Sequence, residues 1–167
     1  MPKNKTSPAS NTPDYQFSEQ VGHLLRRAYQ RHVALFQQTI PDSQLTAAQF
    51  VALCAVRDNG ASSLSDIVRV TAIDQATVRG VIERLKSRAL LAVSHDPADR
   101  RKVLVTLTPA GRCVIDDVVP FAHDITEATF GNLNPAERVA IVYLLRKMSG
   151  ADDLAASRHD GDTGEDA

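Results

Sequence analysis

The chain has 167 residues, 43% of them apolar and 23% charged, enough for one globular domain with a core of its own and too few to argue for two. Its two cysteines, Cys54 and Cys113, exclude a disulfide framework of the secreted kind and suit a reducing cytoplasm, the expected location. Residues 1 to 16 are nearly all polar and no apolar run reaches the length of a bilayer span, so neither a secretory leader nor a membrane partner is expected.

The formal net charge of −1 combines two unlike parts. The stretch 150–167 holds six acids against Arg158 alone and carries −5, which leaves +4 on residues 1–149. That excess sits between Arg69 and Lys102, where eight lysines and arginines outweigh four acids. A local field of this sign attracts phosphates whatever the overall isoelectric point.

Taken in order, residues 1–14 are rich in Pro, Ser, Thr and Asn and read as a disordered arm. A first helix is predicted over about 17–40, where Phe17, Val21, Leu24, Leu25, Ala28, His32 and Phe36 recur on one helix face until Pro41 ends it. It is long for a globular helix, which suggests packing beyond its own domain. "LTAAQFVALCAVRDNG" follows, with Thr46 and Gln49 spaced as a capping box and Gly60 as the stop. Ser63 opens a short helix that turns Leu64, Ile67 and Val68 inward. The next helix runs to about residue 88, capped by Asp74, with Ile73 and Val78 spaced as a hydrophobic staple.

The stretch "LLAVSHDPADRRKVLVTLTPAG" then supplies two strands of a hairpin whose tip carries Arg100, Arg101 and Lys102. Pro109 begins a helix that Pro120 is expected to bend, and Asn134-Pro135 caps the last one. The Gly- and Asp-rich tail 150–167 reads as disordered. Two short helices, a tight connection and a hairpin describe a mostly α protein built on a winged helix-turn-helix with a two-stranded wing.

In that arrangement the second helix of the pair enters the major groove. Its outward side, opposite Val78, Val81, Ile82 and Leu85, holds Ala76, Arg79, Gly80, Glu83 and Ser87. Gln75, Ala76 and Thr77 occupy the first turn, where bases are touched, and Arg79 suits a guanine edge or a phosphate. Arg84, Lys86 and Arg88 flank the face and suit phosphates, and Ser63 joins the contacts from the start of the preceding helix. A charged helix face alone is most often a solvated surface. The hairpin tip shifts the balance, because no core offsets the desolvation of three cations and an arginine there has the reach of a minor groove. Asp99 is placed to orient one of the arginines.

"LSDIVRVTAIDQATVRGVIERLKSRALLAVSHDPADRRKVLVTLTPAG" resembles the winged-helix core of the MarR family of bacterial transcription regulators, with similarity over roughly 17–149. Its most specific part is Asp96-Pro97-x-Asp99-Arg100-Arg101, followed by Val105-x-Leu107-Thr108-x-x-Gly111. The family's usual basic residue just before the wing aspartate is missing, since Ala92, Val93 and Ser94 stand there. The resemblance implies a homodimer joined by helices about 17–40 and 109–149, a DNA-binding core at about 45–107, and double-stranded DNA with a pseudo-palindromic operator as partner. It also implies a small aromatic carboxylate as effector, released repression being the expected response. "TAAQFVALCAVRDNGASSL", "AIDQATVRGVIERLK" and "LNPAERVAIVYLLRKMS" further resemble the branch of the family that represses nicotinic acid degradation, which implies a ligand such as 6-hydroxynicotinate.

For that ligand the first helix offers Tyr29, His32 and Phe36, and the second offers Phe50, one turn from Cys54. A lone histidine on an apolar face is more often a hydrogen-bonded core residue. Arg26, Arg27 and Arg31 are available to a carboxylate, although a solvated flank is the favoured explanation of them. An enzyme is not expected, since no nucleophile–base pair, carboxylate pair or phosphate-binding glycine loop stands at a usable spacing. No metal is expected either, because the five histidines are scattered without a ligand pattern, and no cofactor is implied. The alternatives are a winged helix that binds protein, or a thiol- or metal-responsive regulator. Burial within an apolar helix would blunt Cys54, while Cys113 stands near a helix start that could activate it, and one candidate thiol is thin evidence for a redox sensor.

Overall fold

Helix caps divide the chain where the sequence places them. The computed structural model describes residues 15–150, so the predicted arm 1–14 and nearly all of the predicted acidic tail, 151–167, lie outside the described residues. Among the described residues there are six α-helices, α1 (Val21–Thr39), α2 (Ala47–Asn59), α3 (Leu64–Thr71), α4 (Gln75–Ser87), α5 (Pro109–Phe130) and α6 (Pro135–Ser149). Three strands accompany them, β1 (Ser62–Ser63), β2 (Leu91–His95) and β3 (Val103–Leu107). Thr46, Ser63, Asp74 and Asn134 each accept a backbone N–H three residues on, and for Thr46, Ser63 and Asn134 the side chain at that third position closes a capping box.

One expectation is corrected and one is extended. The predicted helix 17–40 is not continuous: a single tight turn at Phe17–Glu19 is followed by extended backbone at Gln20, and only then does α1 begin. Apolar spacing alone could not report that break, because Phe17 and Val21 keep the helical interval across it. The wing hairpin is present as β2 and β3, but it belongs to a three-stranded antiparallel sheet ordered β1-β3-β2, with Ser62 opposite Val105 and Ser63 opposite Leu104. A two-residue strand has no period to read.

The chain forms two compact units that divide after Ile125, within α5. The first holds the core, a cluster in which Leu45, Leu53, Ile67, Val78, Leu85 and Ile115 are fully buried. α4 contributes Val78, Val81, Ile82 and Leu85 from one face, the face expected from their spacing. The turn after α4 closes as a Schellman motif, with Ala89 N–H donating to Lys86 O at 2.9 Å and Leu90 N–H to Leu85 O at 2.9 Å. Thr108 knits the far end of the sheet to this turn. Its hydroxyl donates to the carbonyls of Ala89 and Leu90 at 2.8 and 3.0 Å and accepts the Gly111 N–H at 3.0 Å. A Cβ at Gly111 would lie 2.2 Å from the Leu90 carbonyl oxygen, so the Leu-Thr-x-x-Gly pattern is a close approach of α5 to the start of β2.

In the second unit, Arg138 organises the α5–α6 turn. Its Nε donates to Leu133 O at 2.8 Å, its guanidinium pairs with Glu127, and it lies 5.5 Å from the centre of the Phe130 ring.

Candidate nucleic-acid interface

α3 and α4 are joined through Ala72, Ile73 and Asp74, with Ala72 left-handed at φ 54°. This tight corner turns the exposed side of α4 outward, so Gln75, Ala76, Thr77, Arg79, Glu83 and Arg84 all meet solvent. Asp74 caps α4 with both oxygens, taking the Thr77 N–H at 2.9 Å and the Thr77 hydroxyl at 2.6 Å. The hydrogen bonds from Thr77 hold the Asp74 carboxyl below the usual aspartate range. The Thr77 hydroxyl proton is thus already engaged. Only its lone pairs and methyl are left for a base.

The wing tip is held by its own backbone. Asp96 N–H donates to Lys102 O at 2.9 Å, Lys102 N–H to Asp99 O at 2.8 Å, and Arg101 N–H to Asp99 Oδ1 at 3.0 Å. Arg101 Nε stands 3.6 Å from the same carboxylate oxygen, the orienting role expected of Asp99, while its side chain is 96% exposed. An exposed pair of this kind adds little stability.

Between the start of α3, the wing-side flank of α4 and the wing lies a groove of about 620 Å³. Ser63, Gln75, Arg79, Arg101 and Lys102 line it together with one acid, Glu83, above a floor of Ile82, Val93 and Val105. Recognition helix and wing therefore face one concavity. The remaining predicted residues stand elsewhere: Ala76, Thr77 and Arg84 are on α4 outside the groove lining, and Arg100 borders a smaller cleft with His95, Asp96 and Pro97. Ser63 reaches the groove, but its hydroxyl donates to Asp66 Oδ2 at 2.6 Å and its N–H to the same oxygen at 3.1 Å. These bonds from Ser63 hold the Asp66 carboxyl below its ordinary range. Ser65, exposed in the first turn of α3 and also lining the groove, is the free hydroxyl that sequence reasoning missed.

Ion pairs sort the basic residues. Lys86 stands 3.9 Å from Glu83, Arg69 stands 3.5 Å from Asp66, and Arg88 is tied to Asp42 in the α1–α2 turn. Arg88 is therefore a structural tie and not the phosphate contact expected of it. Among the described residues no carboxylate pairs with Arg79, Arg84, Arg100 or Lys102, which leaves their charge available.

Of the residues expected at an effector site, the rings of Tyr29 and His32 are 6.5 Å apart and those of Phe36 and Phe50 are 5.6 Å apart. Tyr29 is exposed and Phe36 buried. A separate cleft of about 790 Å³ opens where the turn at Phe17 meets α1, lined by Tyr15, Phe17, His23, Arg26 and Arg27 among others, with the Phe17 and His23 rings 4.2 Å apart. Reading one unbroken helix through Gln20 hid that pairing of aromatic rings with arginines. Burial pushes the Cys54 thiol above its ordinary range, and Cys113 is exposed. Among the described residues no group of three or more His, Cys, Asp or Glu is placed to hold a metal ion, and no helix is long and apolar enough to cross a membrane.

A helix-turn-helix and a wing that share one cation-lined groove are the reading head of a DNA-binding regulator. The model of the MarR family matches residues 45–103. The HTH-type transcriptional repressor NicR of Pseudomonas putida is 56% identical over 155 residues, 90% of this chain and 98% of that one. A solved structure of Bordetella bronchiseptica BpsR, described as showing the mechanism by which 6-hydroxynicotinic acid regulates its DNA binding, is 78% identical. It superposes with a TM-score of 0.77 over 81% of this chain and 98% of that one. A mutant of Escherichia coli MarR complexed with operator DNA is 26% identical, with a TM-score of 0.72 over 80% of this chain and 98% of that one. The chain belongs to the MarR family and is a DNA-binding transcriptional regulator, not an enzyme.

Proposed function

We propose that this protein is a homodimeric repressor that holds a pseudo-palindromic operator and releases it when an aromatic carboxylate binds, 6-hydroxynicotinate being the first choice. The groove shared by α4 and the wing carries the DNA-binding part, since it lets one protomer address the major groove and the neighbouring minor groove together. Residues 45–107 serve as the DNA-binding core, and α1, α5 and α6 supply the dimer contacts. Support for the latter comes from the exposed apolar residues of α6, including Val139, Tyr143, Leu144 and Met148. The effector assignment draws on the similarity to BpsR. Tyr29, His32, Phe36 and Phe50 are its proposed neighbours, with Arg26 or Arg27 available to the carboxylate.

Binding to the DNA upstream of the protein's own gene, followed by fluorescence anisotropy, tests the reading. Affinity is expected to fall steeply with salt, with a log-log slope of several units. Arg101→Ala is expected to weaken binding by about 1–3 kcal/mol while leaving the dimer intact. Release by 6-hydroxynicotinate, and not by peroxide or divalent metals, identifies the sensing class. Full affinity in the Arg101→Ala protein would remove the wing from the interface.

A further inference from the structure

Gly80 lies in the middle of α4 with no left-handed backbone to explain it. Glycine inside a helix costs stability relative to alanine, so its presence on an exposed face asks for a spatial reason. The three atoms nearest to a Cβ built at Gly80 all belong to one side chain: Arg84 Nη1 at 3.3 Å, Nη2 at 3.7 Å and Cζ at 3.8 Å. The Arg84 guanidinium is therefore folded back along the helix and lies over residue 80, the direction in which helical side chains lean.

No carboxylate draws it there. Lys86 has Glu83 and Arg88 has Asp42, whereas among the described residues Arg84 has no ion pair. At 100° per residue, Gly80 stands about 30° from the middle of the outward face and the Arg84 backbone about 70° from it. Lying over the glycine thus carries the guanidinium inward from the flank, to the part of the face where Ala76 and Gly80 leave the helix bare. A phosphate anchor belongs at the rim. A fork of donors at the centre of a recognition helix meets base edges instead.

We propose that Gly80 is a specificity-determining position: the missing side chain lets Arg84 lie across α4 and present two parallel N–H donors to a guanine. The inference rests on the DNA-binding role given to α4 above, and it turns Arg84 from a phosphate contact into a base reader. A methyl group at residue 80 would meet Arg84 Nη1 at 3.3 Å, so the fork must shift by a few tenths of an ångström, and lysine at residue 84 keeps the charge but loses the paired donors.

The test uses the full-length protein and a randomised duplex library. The native protein selects its preferred sequence, and affinities are then measured for every single-base variant of it. Gly80→Ala is expected to raise Tm by about 2–4 °C through helix propensity while lowering affinity for the preferred duplex about tenfold. The loss should concentrate at one base pair per half-site. Arg84→Lys should flatten the preference at that same pair and leave the salt slope unchanged. Unaltered base preference at every position in Gly80→Ala would overturn the proposal. So would an equal loss for all sequences in Arg84→Lys, the mark of a phosphate contact. Selection by the native protein separates the two levels. If it enriches no duplex sequence, the DNA-binding role itself fails; if it enriches one while Gly80→Ala keeps its base preferences, only the base-reading inference fails.

Discussion

α4 and α6 are helices of similar length, capped by the same chemistry, and they meet opposite fates. α4 covers its apolar side completely, with Val78, Val81, Ile82 and Leu85 at most 4% exposed. α6 buries none of its residues, and Val139 and Met148 are 73% and 60% exposed. On a wheel α4 has one apolar side, whereas the apolar residues of α6 run around the helix. The difference is where the cover comes from: α4 is packed by α2 and α3, whereas α6 keeps an apolar surface that is rarely left bare to water. Periodicity reports which side of a helix seeks cover. It says nothing about whether the same chain provides it.

The strongest way to break this comparison is to place the same charge on both helices. Leu85→Asp buries an unpaired carboxylate in the core and is expected to cost more than about 4 kcal/mol, abolishing cooperative unfolding at 37 °C. Leu145→Asp on α6 should leave the fold of the single chain alone and raise the dimer dissociation constant at least 100-fold, about 3 kcal/mol. Sedimentation velocity and thermal melts distinguish the outcomes. A dimer that survives Leu145→Asp would mean that α6 is covered by something other than a second copy.

Gly111 tests how tightly the covered side is packed. Its missing Cβ would meet the Leu90 carbonyl oxygen at 2.2 Å and Leu107 Cδ1 at 2.8 Å, and neither backbone nor packed leucine can move far. Gly111→Ala is expected to destabilise the core by about 3 kcal/mol in urea unfolding, at the upper end for overpacking. A loss below 1 kcal/mol would show that α5 can slide on the sheet.

α4 is also pinned at its end, by Arg88 on Asp42, and α6 has no such tie to a distant turn among the ion pairs of the described residues. Burial raises the Asp42 pKa, but the hydrogen bond and charge of Arg88, with the N–H groups of Gln44 and Leu45, outweigh it and leave the carboxyl below the ordinary aspartate range. A carboxyl whose pKa is depressed by folding stabilises the native state above its unfolded pKa. That contribution disappears as pH falls through the folded value. Asp42→Asn is therefore expected to cost about 2 kcal/mol at pH 7, and the deficit should shrink below about pH 4. Chemical unfolding at pH 7 and pH 3 measures it. An equal deficit at both would mean that the lost stability is not the ion pair's.

These residues also mark where sequence reasoning stops. Thr46, Asp74 and Asn134 were legible as caps because a cap is a local event, fixed within four residues. The wing was legible because three adjacent cations cannot be buried and must be displayed. Arg88 was not, since its partner lies 46 residues away and only packing brings them together. Ser63 shows the same limit at smaller range. The spacing to Asp66 is that of a capping box, yet nothing in the sequence says that this bond occupies the hydroxyl and leaves Ser65 to face the groove. The cleft at Tyr15, Phe17 and His23 depends on a break at Gln20 that preserves the apolar interval, so the pattern passes straight over it.

The smallest expected effect lies where the two helices end. α6 stops on Gly150 at φ 64°, the residue suited to a left-handed cap. α4 reaches the same geometry one residue past Arg88 with Ala89 at φ 56°, and it completes both Schellman hydrogen bonds there. A Cβ in that region costs about 1 kcal/mol, partly offset by the freedom glycine has in the unfolded chain. Ala89→Gly is therefore expected to stabilise the protein by about 0.5 kcal/mol, read as a small rise in Tm, and to leave DNA affinity unchanged because Ala89 lies outside the groove. A fall in Tm would mean that the methyl group makes contacts in the turn that outweigh its strain. In that case α4 is held at its end by packing as well as by hydrogen bonds, and its contrast with α6 is wider than the caps alone suggest.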